Sequence, residues 1–309
     1  MLAETCRQGT QEMNFKAWFL ETRPQFLLLS IVLAFLGTAS AYWAGVKINI
    51  GFAVLAGVGL LLAHASVNII NDWFDYRSGI DQKTTRTPFS GGSGMLPAGL
   101  LTPRQALWLG LIAFFLIIPI GAFFVLQSGW WLLPLLVIAA ICILIYTPII
   151  LKTRFPEWAA GLGLGILPIL GVYFIQASEY SLPALFASVP SGLLVYNLLL
   201  LNEFPDIEAD RDAGRRTLPI TEGRRKASIV YSIMTILVYV WIILSVSLRQ
   251  MPVFSLIALL TLPLAIKAIR GALKSEDFSK LVPAMANNVM VVLLTQLLLG
   301  IGYILGKVV

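Results

Sequence analysis

Charge is scarce in this sequence. Only 12% of its 309 residues are Asp, Glu, Lys or Arg, about half the share found in ordinary soluble domains. The set AVILMFWYC supplies 58%, and mean hydropathy is +0.84. That balance excludes a soluble globule and a disordered chain. It also excludes a nucleic-acid partner, because the net charge of +6 rests on too few ionic groups to make a binding surface. Cysteine is almost absent: Cys6 and Cys142 cannot build a disulfide framework and lack metal-ligand spacing. No secretory signal is expected, since residues 1–24 are polar and offer no short hydrophobic core with a small-residue cleavage site.

Long apolar sequence is abundant instead. Stretches near the ~20 residues that cross a hydrocarbon core recur at about 26–46, 50–71, 106–127, 130–150, 158–176, 184–201, 227–247, 252–269 and 282–305. They predict an all-α integral membrane protein, a single domain over 1–309 with nine transmembrane helices and a polar N-terminal segment 1–24. Pro119, Pro134, Pro168 and Pro263 lie within or near the ends of spans and predict kinks, not breaks.

Of the 22 Lys and Arg, only Lys47, Arg249 and Lys307 fall opposite the N-terminal side. The positive-inside rule therefore predicts a multi-pass protein of the cell membrane with its N-terminus in the cytoplasm. The acids follow the bases: of 16, Glu179 alone falls on the far side. Asymmetry in Lys and Arg is common to membrane proteins. A matching concentration of carboxylates is not, and it calls for a chemical cause.

Two segments hold most of those acids. In residues 68–81, at the end of the second span, His64, Asn68, Asn71 and Asp75 share a helical stripe about 60° wide, with Asp72 beside it. In residues 202–212, at the end of the sixth span, Asn202, Asp206 and Asp210 share a face if the helix continues past Pro205. Four crossings separate the segments, so both emerge on the same side. Asn71-Asp72-Trp73-Phe74-Asp75 aligns with Asn202-Glu203-Phe204-Pro205-Asp206, and Asp81 with Asp212. This reads as an internal repeat that sets two acid-bearing units across a central cavity.

Clustered carboxylates repel one another and need cations. Asp and Asn oxygens are hard ligands suited to Mg²⁺, which keeps part of its water shell and takes further oxygens from substrate phosphates. The same segments carry Arg77, Lys83, Arg86, Arg211, Arg215 and Arg216, and Lys152 and Arg154 follow the fourth span. Acids for metal, bases for phosphate and an apolar chamber below describe a site for a lipid diphosphate.

NDWFDYRSGID at 71–81 and NEFPDIEADRDAGRRTL at 202–218 closely resemble the paired Asp-rich motifs of the UbiA superfamily of intramembrane prenyltransferases. The resemblance implies a nine-helix bundle that transfers a prenyl group from an allylic polyprenyl diphosphate to an aromatic acceptor with Mg²⁺. It assigns Asn71, Asp72, Asp75, Asn202, Asp206 and Asp210 to Mg²⁺ and diphosphate, with the four aspartates as the catalytic set. Arg23, Lys83, Arg86 and Lys152 would hold the phosphates. Many members place a third aspartate where this chain has Gly79. Its next acid is Asp81, a spacing like that of the menaquinone-forming branch, so 1,4-dihydroxy-2-naphthoate is the expected acceptor. Trp73, Phe74, Tyr146, Trp158 and Phe204 are candidates to shelter the allylic cation. The acceptor's acid group is expected near a base such as Arg154 or His64.

Plainer roles stand beside these. His64 is either a hydrogen-bonding structural residue or a contact to the acceptor or the metal shell. Gly91-Gly92-Ser93-Gly94 is either a linker or a lid. Glu203, Glu208 and Asp212 are expected to be solvated, and Gly161, Gly163 and Gly165 to serve close helix packing. A transporter would carry its acids near the bilayer midplane, whereas here they sit at span ends and in loops. A diphosphate-hydrolysing or cation-cyclising enzyme would share the metal site and differ in needing no aromatic acceptor.

Overall fold

Apolar runs that cannot leave backbone groups unpaired in lipid must fold as helices, and the computed structural model follows suit. It describes residues 15–84 and 86–309, among which there is no β-strand; Cys6 and Arg7 lie outside them. A short helix α1 (Phe15–Glu21) precedes α2 (Pro24–Trp43), α3 (Ile50–Ser78) and α4 (Pro103–Ser128). Next come α5 (Trp130–Ile145), α6 (Glu157–Ala177) and α7 (Leu182–Asn202). A short α8 (Ile207–Asp212) leads to α9 (Arg224–Ser247), α10 (Val253–Ala272) and α11 (Phe278–Val308).

Eight of these helices are long and apolar enough to cross a membrane. The fourth expected span is shorter: α5 has 16 residues, about 24 Å of helix. Its ends nevertheless reach opposite ends of the bundle. Tyr180 donates to the Trp131 carbonyl at one end, and Asn71 Nδ2 donates to Thr147 Oγ1 just past the other.

Three prolines act at helix-type junctions. Pro134, Pro168 and Pro263 stand at the second position of regular α-helix, following 3₁₀ or π segments. Each missing N–H thus falls where the hydrogen-bond pattern already changes register. Pro119 lies inside an unbroken α4.

Packing relies on small residues. Carbon added at Gly161 or Gly165 of α6 would come within 2.7 Å of the Ser191–Gly192 backbone of α7, so the two helices touch through their main chains. The largest buried cluster joins α2, α6, α7, α9, α10 and α11 through side chains such as Leu33, Ile169, Leu194, Ile242, Val291 and Tyr303. Outward faces carry Ile112, Phe115, Ile236 and Leu260, the apolar coat expected of a bundle surrounded by lipid. The tightly packed helices leave a hollow walled by α3, α4, α5 and α6 with contributions from α2 and α7, and α3 and α7 both end at its polar mouth.

Candidate active site

The continuous helix α3 carries the first acidic segment to its end, where Gly79 at φ 79° stops it. A single turn, Ile80–Lys83, then folds Asp81 inward. The second segment is not one helix. Pro205 lacks an N–H and disfavours helix before it, so α7 ends at Asn202 and the chain turns before α8 begins at Ile207. The expected i, i+4, i+8 face is therefore broken, yet the turn and α8 still bring Asp206 and Asp210 to the same pocket. Gly214, at φ 79°, reverses the chain so that Arg215 points back over Asp210.

The pocket holds about 120 Å³ and is lined by Asn71, Asp75 and Asp81 facing Asn202, Glu203, Asp206 and Asp210, with Arg23, Tyr146 and Arg215. Asp72 stands behind this lining. Its Oδ2 accepts the Ser93 amide at 2.6 Å, and its Oδ1 lies 3.8 Å from Arg23. The glycine loop forms part of the wall. Gly92 has φ 70°, and a Cβ there would sit 3.3 Å from Asp81 Oδ1 and 3.4 Å from Asp72 Oδ1, so the close approach of the loop requires glycine.

Positive charge is insufficient for this many acids. Arg215, its side chain 12% exposed, bridges Asp75 and Asp210, the latter at 2.7 Å. Burial works against its charge, and the two carboxylates more than restore it, holding its pKa above the usual value. Burial raises Asp210 despite that partner. Burial, then Asp72 and Asp75, push Asp81 to about 8, and burial, then Asp210, push Asp206 to about 8. Buried oxygens without a hydrogen bond include Asp72 Oδ1, Asn202 Oδ1 and Asp206 Oδ1. Among the described residues no three His, Cys, Asp or Glu converge closely enough to hold an ion alone. Unsatisfied hard oxygens spread round a rim fit Mg²⁺ that completes its shell with water and phosphate.

Below the pocket lies a chamber of about 770 Å³ with an almost wholly apolar wall. Arg23, Asn71, Tyr146, Leu199 and Asn202 line both spaces, so one opens onto the other. Along α3 the chamber runs from Asn71 to Ala56, about 22 Å of helix.

Residues 28–293 match the UbiA prenyltransferase family. The chain belongs to that family. This multi-pass UbiA-family enzyme is similar to the 1,4-dihydroxy-2-naphthoate octaprenyltransferase of Bacillus subtilis (strain 168), at 26% identity over 96% of this chain and 94% of that one. Its fold is shared with the apo structure of a UbiA homologue from Aeropyrum pernix K1, with TM-score 0.70 and 18% identity over 91% and 97% of the two chains. A UbiA homologue from Archaeoglobus fulgidus bound to GPP and Mg²⁺ gives TM-score 0.62 and 15% identity over 93% and 99%.

Within this UbiA fold the remaining expected residues scatter. Lys83 pairs with Asp212 at 2.8 Å on the exposed rim. Lys152 is exposed and lines neither space. Arg86 curls onto the carbonyls of Gly91, Gly92 and Ser93 and so shapes the loop wall. Arg154 pairs with Glu222 at 2.7 Å and stacks on Phe155, away from the chamber. Tyr146 lines both spaces, whereas Trp73, Phe74, Trp158 and Phe204 line neither; Phe204 is buried in a separate cluster and Trp73 lies under Arg77. Phe26, Phe114 and Phe124 supply the chamber's aromatic wall instead.

Glu208 is exposed as expected, but Glu203 is buried beside Glu157, with its pKa well above the usual value from burial and that neighbour. Glu157 accepts the Leu218 amide at 2.5 Å, tying α6 to the chain that follows Arg215. Glu21 is also buried, accepts the Ser93 hydroxyl at 2.6 Å, and is raised to about 7 by burial and then Asp72. Sequence spacing points to neither Glu21 nor Glu157, since each stands alone between apolar runs. Gly163 lines the chamber opposite Cys142, while Gly161 and Gly165 serve packing as expected.

Proposed function

We propose that this enzyme transfers a prenyl group from a polyprenyl diphosphate to 1,4-dihydroxy-2-naphthoate, as in menaquinone formation, with Mg²⁺ at the paired acidic segments. One observation carries the reading: both segments line a single polar pocket, Asn71, Asp75 and Asp81 from the first and Asn202, Asp206 and Asp210 from the second with Asn202 Oδ1 and Asp206 Oδ1 buried and unpartnered, and that pocket opens onto a long apolar chamber. The diphosphate belongs in the former and the prenyl tail in the latter. Similarity to the Bacillus subtilis enzyme supports the choice of acceptor.

Asn71, Asp72, Asp75, Asn202, Asp206 and Asp210 would hold Mg²⁺, which supplies positive charge against which pyrophosphate departs. Arg23 and Arg215, already at the pocket wall, add charge-assisted hydrogen bonds to phosphate oxygens. Lys83 lies at the rim for an incoming diphosphate, and Asp81 shapes the pocket floor. The apolar wall keeps water from the allylic carbon, so the electron-rich ring captures it instead.

In this reading α5 is the ninth crossing, the two acidic segments are repeated units, and both face the cytoplasm. The basic asymmetry supports that orientation. With Cys6 and Cys142 replaced by alanine, cysteines introduced at Lys83 and Ala213 should react with an impermeant reagent from the cytoplasmic side only. Labelling from outside alone would reverse the orientation.

The function is tested with purified protein, one labelled prenyl diphosphate, and a panel of acceptors with and without Mg²⁺. The expected result is Mg²⁺-dependent prenylation of the naphthoate with loss of its carboxylate. Turnover of 4-hydroxybenzoate or a glycerol phosphate with no reaction of the naphthoate would overturn the acceptor. Prenyl consumption with no acceptor at all would favour hydrolysis or cyclisation.

A further inference from the structure

Below the mouth, where Asn71, Tyr146 and Asn202 stand, the chamber wall is apolar except for one corner. Arg23, His64 and Asn68 share that corner where the start of α2 meets α3. His64 lies two turns below Asn71, about 10 Å along the helix. Its Nδ1 is engaged by Ser30 Oγ at 3.0 Å, which fixes the ring. Nε2 has no partner and is not sealed off by protein, so it faces the chamber that His64 lines.

Arg23 is held there at a cost. Its φ of 55° and ψ of 61° put a bulky residue in the left-handed region, a conformation that persists only where the surroundings enforce it. The enforcing contacts are local: Asn68 Nδ2 donates to the Thr22 carbonyl at 3.1 Å, and Pro24 opens α2 directly after. The guanidinium then lies over the Phe26 ring at 4.9 Å, with Nε buried and unpartnered and Asp72 only loosely paired at 3.8 Å. A strained arginine, a fixed imidazole with a free nitrogen and an aromatic face thus converge just below the diphosphate pocket.

We infer that this corner binds the acceptor, a flat ring bearing a hydroxyl and a carboxylate: His64 Nε2 takes a ring hydroxyl, Arg23, which borders both spaces, takes the carboxylate as well as the phosphate, and Phe26 takes the ring face. The inference rests on the aromatic-acceptor reading above and locates its subsite. The ring's position between His64 and Asn71 sets a ring carbon beside the allylic carbon whose diphosphate lies above. His64 is thereby an acceptor-binding residue and Asn68 a positioning residue for Arg23. The other base expected near the acceptor, Arg154, is spoken for by Glu222.

The test compares the wild type, His64→Leu and His64→Gln in nanodiscs with Mg²⁺, a prenyl diphosphate, the preferred dihydroxy acid and each of its monomethyl ethers. The wild type should prefer the free hydroxyl by about tenfold or more over one of the ethers, the worth of one buried hydrogen bond. His64→Leu should raise the acceptor KM by a similar factor and abolish that discrimination, leaving the KM for prenyl diphosphate within about twofold. His64→Gln, which keeps a polar group at that depth, should recover part of the preference. Equal acceptor KM in wild type and His64→Leu, or parallel changes in both substrates' KM, would overturn the subsite. Equal affinity of the wild type for the free acid and both ethers would overturn it without any variant, so a His64→Leu protein that fails to fold leaves the test intact. If the wild type prenylates no hydroxylated aromatic, the functional reading itself fails. Prenylation that ignores His64 defeats the subsite alone.

Discussion

Asp206→Asn should lower turnover by about 10²-fold or more while leaving the Mg²⁺-free protein at least as heat-stable as the wild type. A lost metal-supporting carboxylate accounts for the first effect. The second follows from the site's electrostatics. Asp206 Oδ1 is buried without a hydrogen bond, and burial, Asp210 and Asp75 together raise its pKa to about 8. A carboxyl whose folded pKa is raised is stabilised in its neutral form, and its charge costs the fold stability as pH rises through the unfolded value and above. Asparagine removes that cost. Mg²⁺ should raise the wild-type Tm by binding the folded state and leave that of Asp206→Asn nearly unchanged. Asp75→Asn should be equally inactive but less stable, because Asp75 carries the Arg215 ion pair. Near-normal turnover of Asp206→Asn, or full wild-type activity in excess chelator, would refute the metal site.

The first acidic segment was more legible than the second for a physical reason. Helix α3 is unbroken, so 100° per residue places His64, Asn68, Asn71 and Asp75 on one stripe, and all four face the chamber or the pocket. Pro205 removes that regularity from the second segment. There Asn202, Asp206 and Asp210 do line one pocket, but their convergence depends on a turn that periodicity does not describe. Long-range partners left no local trace. Glu21 and Ser93 meet from 72 residues apart, and Glu157 reaches Leu218 across 61. Charge alone misread Glu203 as solvated, because a carboxylate at a span end can lie on either side of the wall. Aromatic identity misled likewise: Trp73 and Phe204 flank the acids in sequence, yet Trp73 on α3 and Phe204 in the turn after α7 line neither space, while Phe26 and Phe114 line the chamber. Helix α5 is shorter than the apolar stretch 130–150 because apolar residues continue through Ile150, where the chain has already turned.

Arg215→Gln should produce the other large loss, and its signature differs from that of Asp206→Asn. Arg215 joins the two acidic segments, bonding Asp75 at the end of α3 and Asp210 in α8. Removing it leaves two buried carboxylates facing each other without a cation, and breaking a buried pair from one side costs about 3–5 kcal/mol. The variant should therefore melt well below the wild type without Mg²⁺, and turnover should fall by about 10²-fold because a phosphate-facing charge is also lost. Mg²⁺ brings positive charge to the same acids, so it should raise the Tm of Arg215→Gln more than that of the wild type. Arg215→Lys keeps the charge but not the two-pronged geometry and should fall between them. Lys83→Ala provides the contrast. Its pair with Asp212 also links the segments, but both side chains are 61% exposed, and an exposed pair contributes about 0–1 kcal/mol. Its Tm should match the wild type, with any loss confined to the KM for prenyl diphosphate. Calorimetry with and without Mg²⁺, alongside turnover, separates these cases. If Arg215→Gln keeps wild-type stability and activity, the charge bridge is not what holds the two halves of the site together.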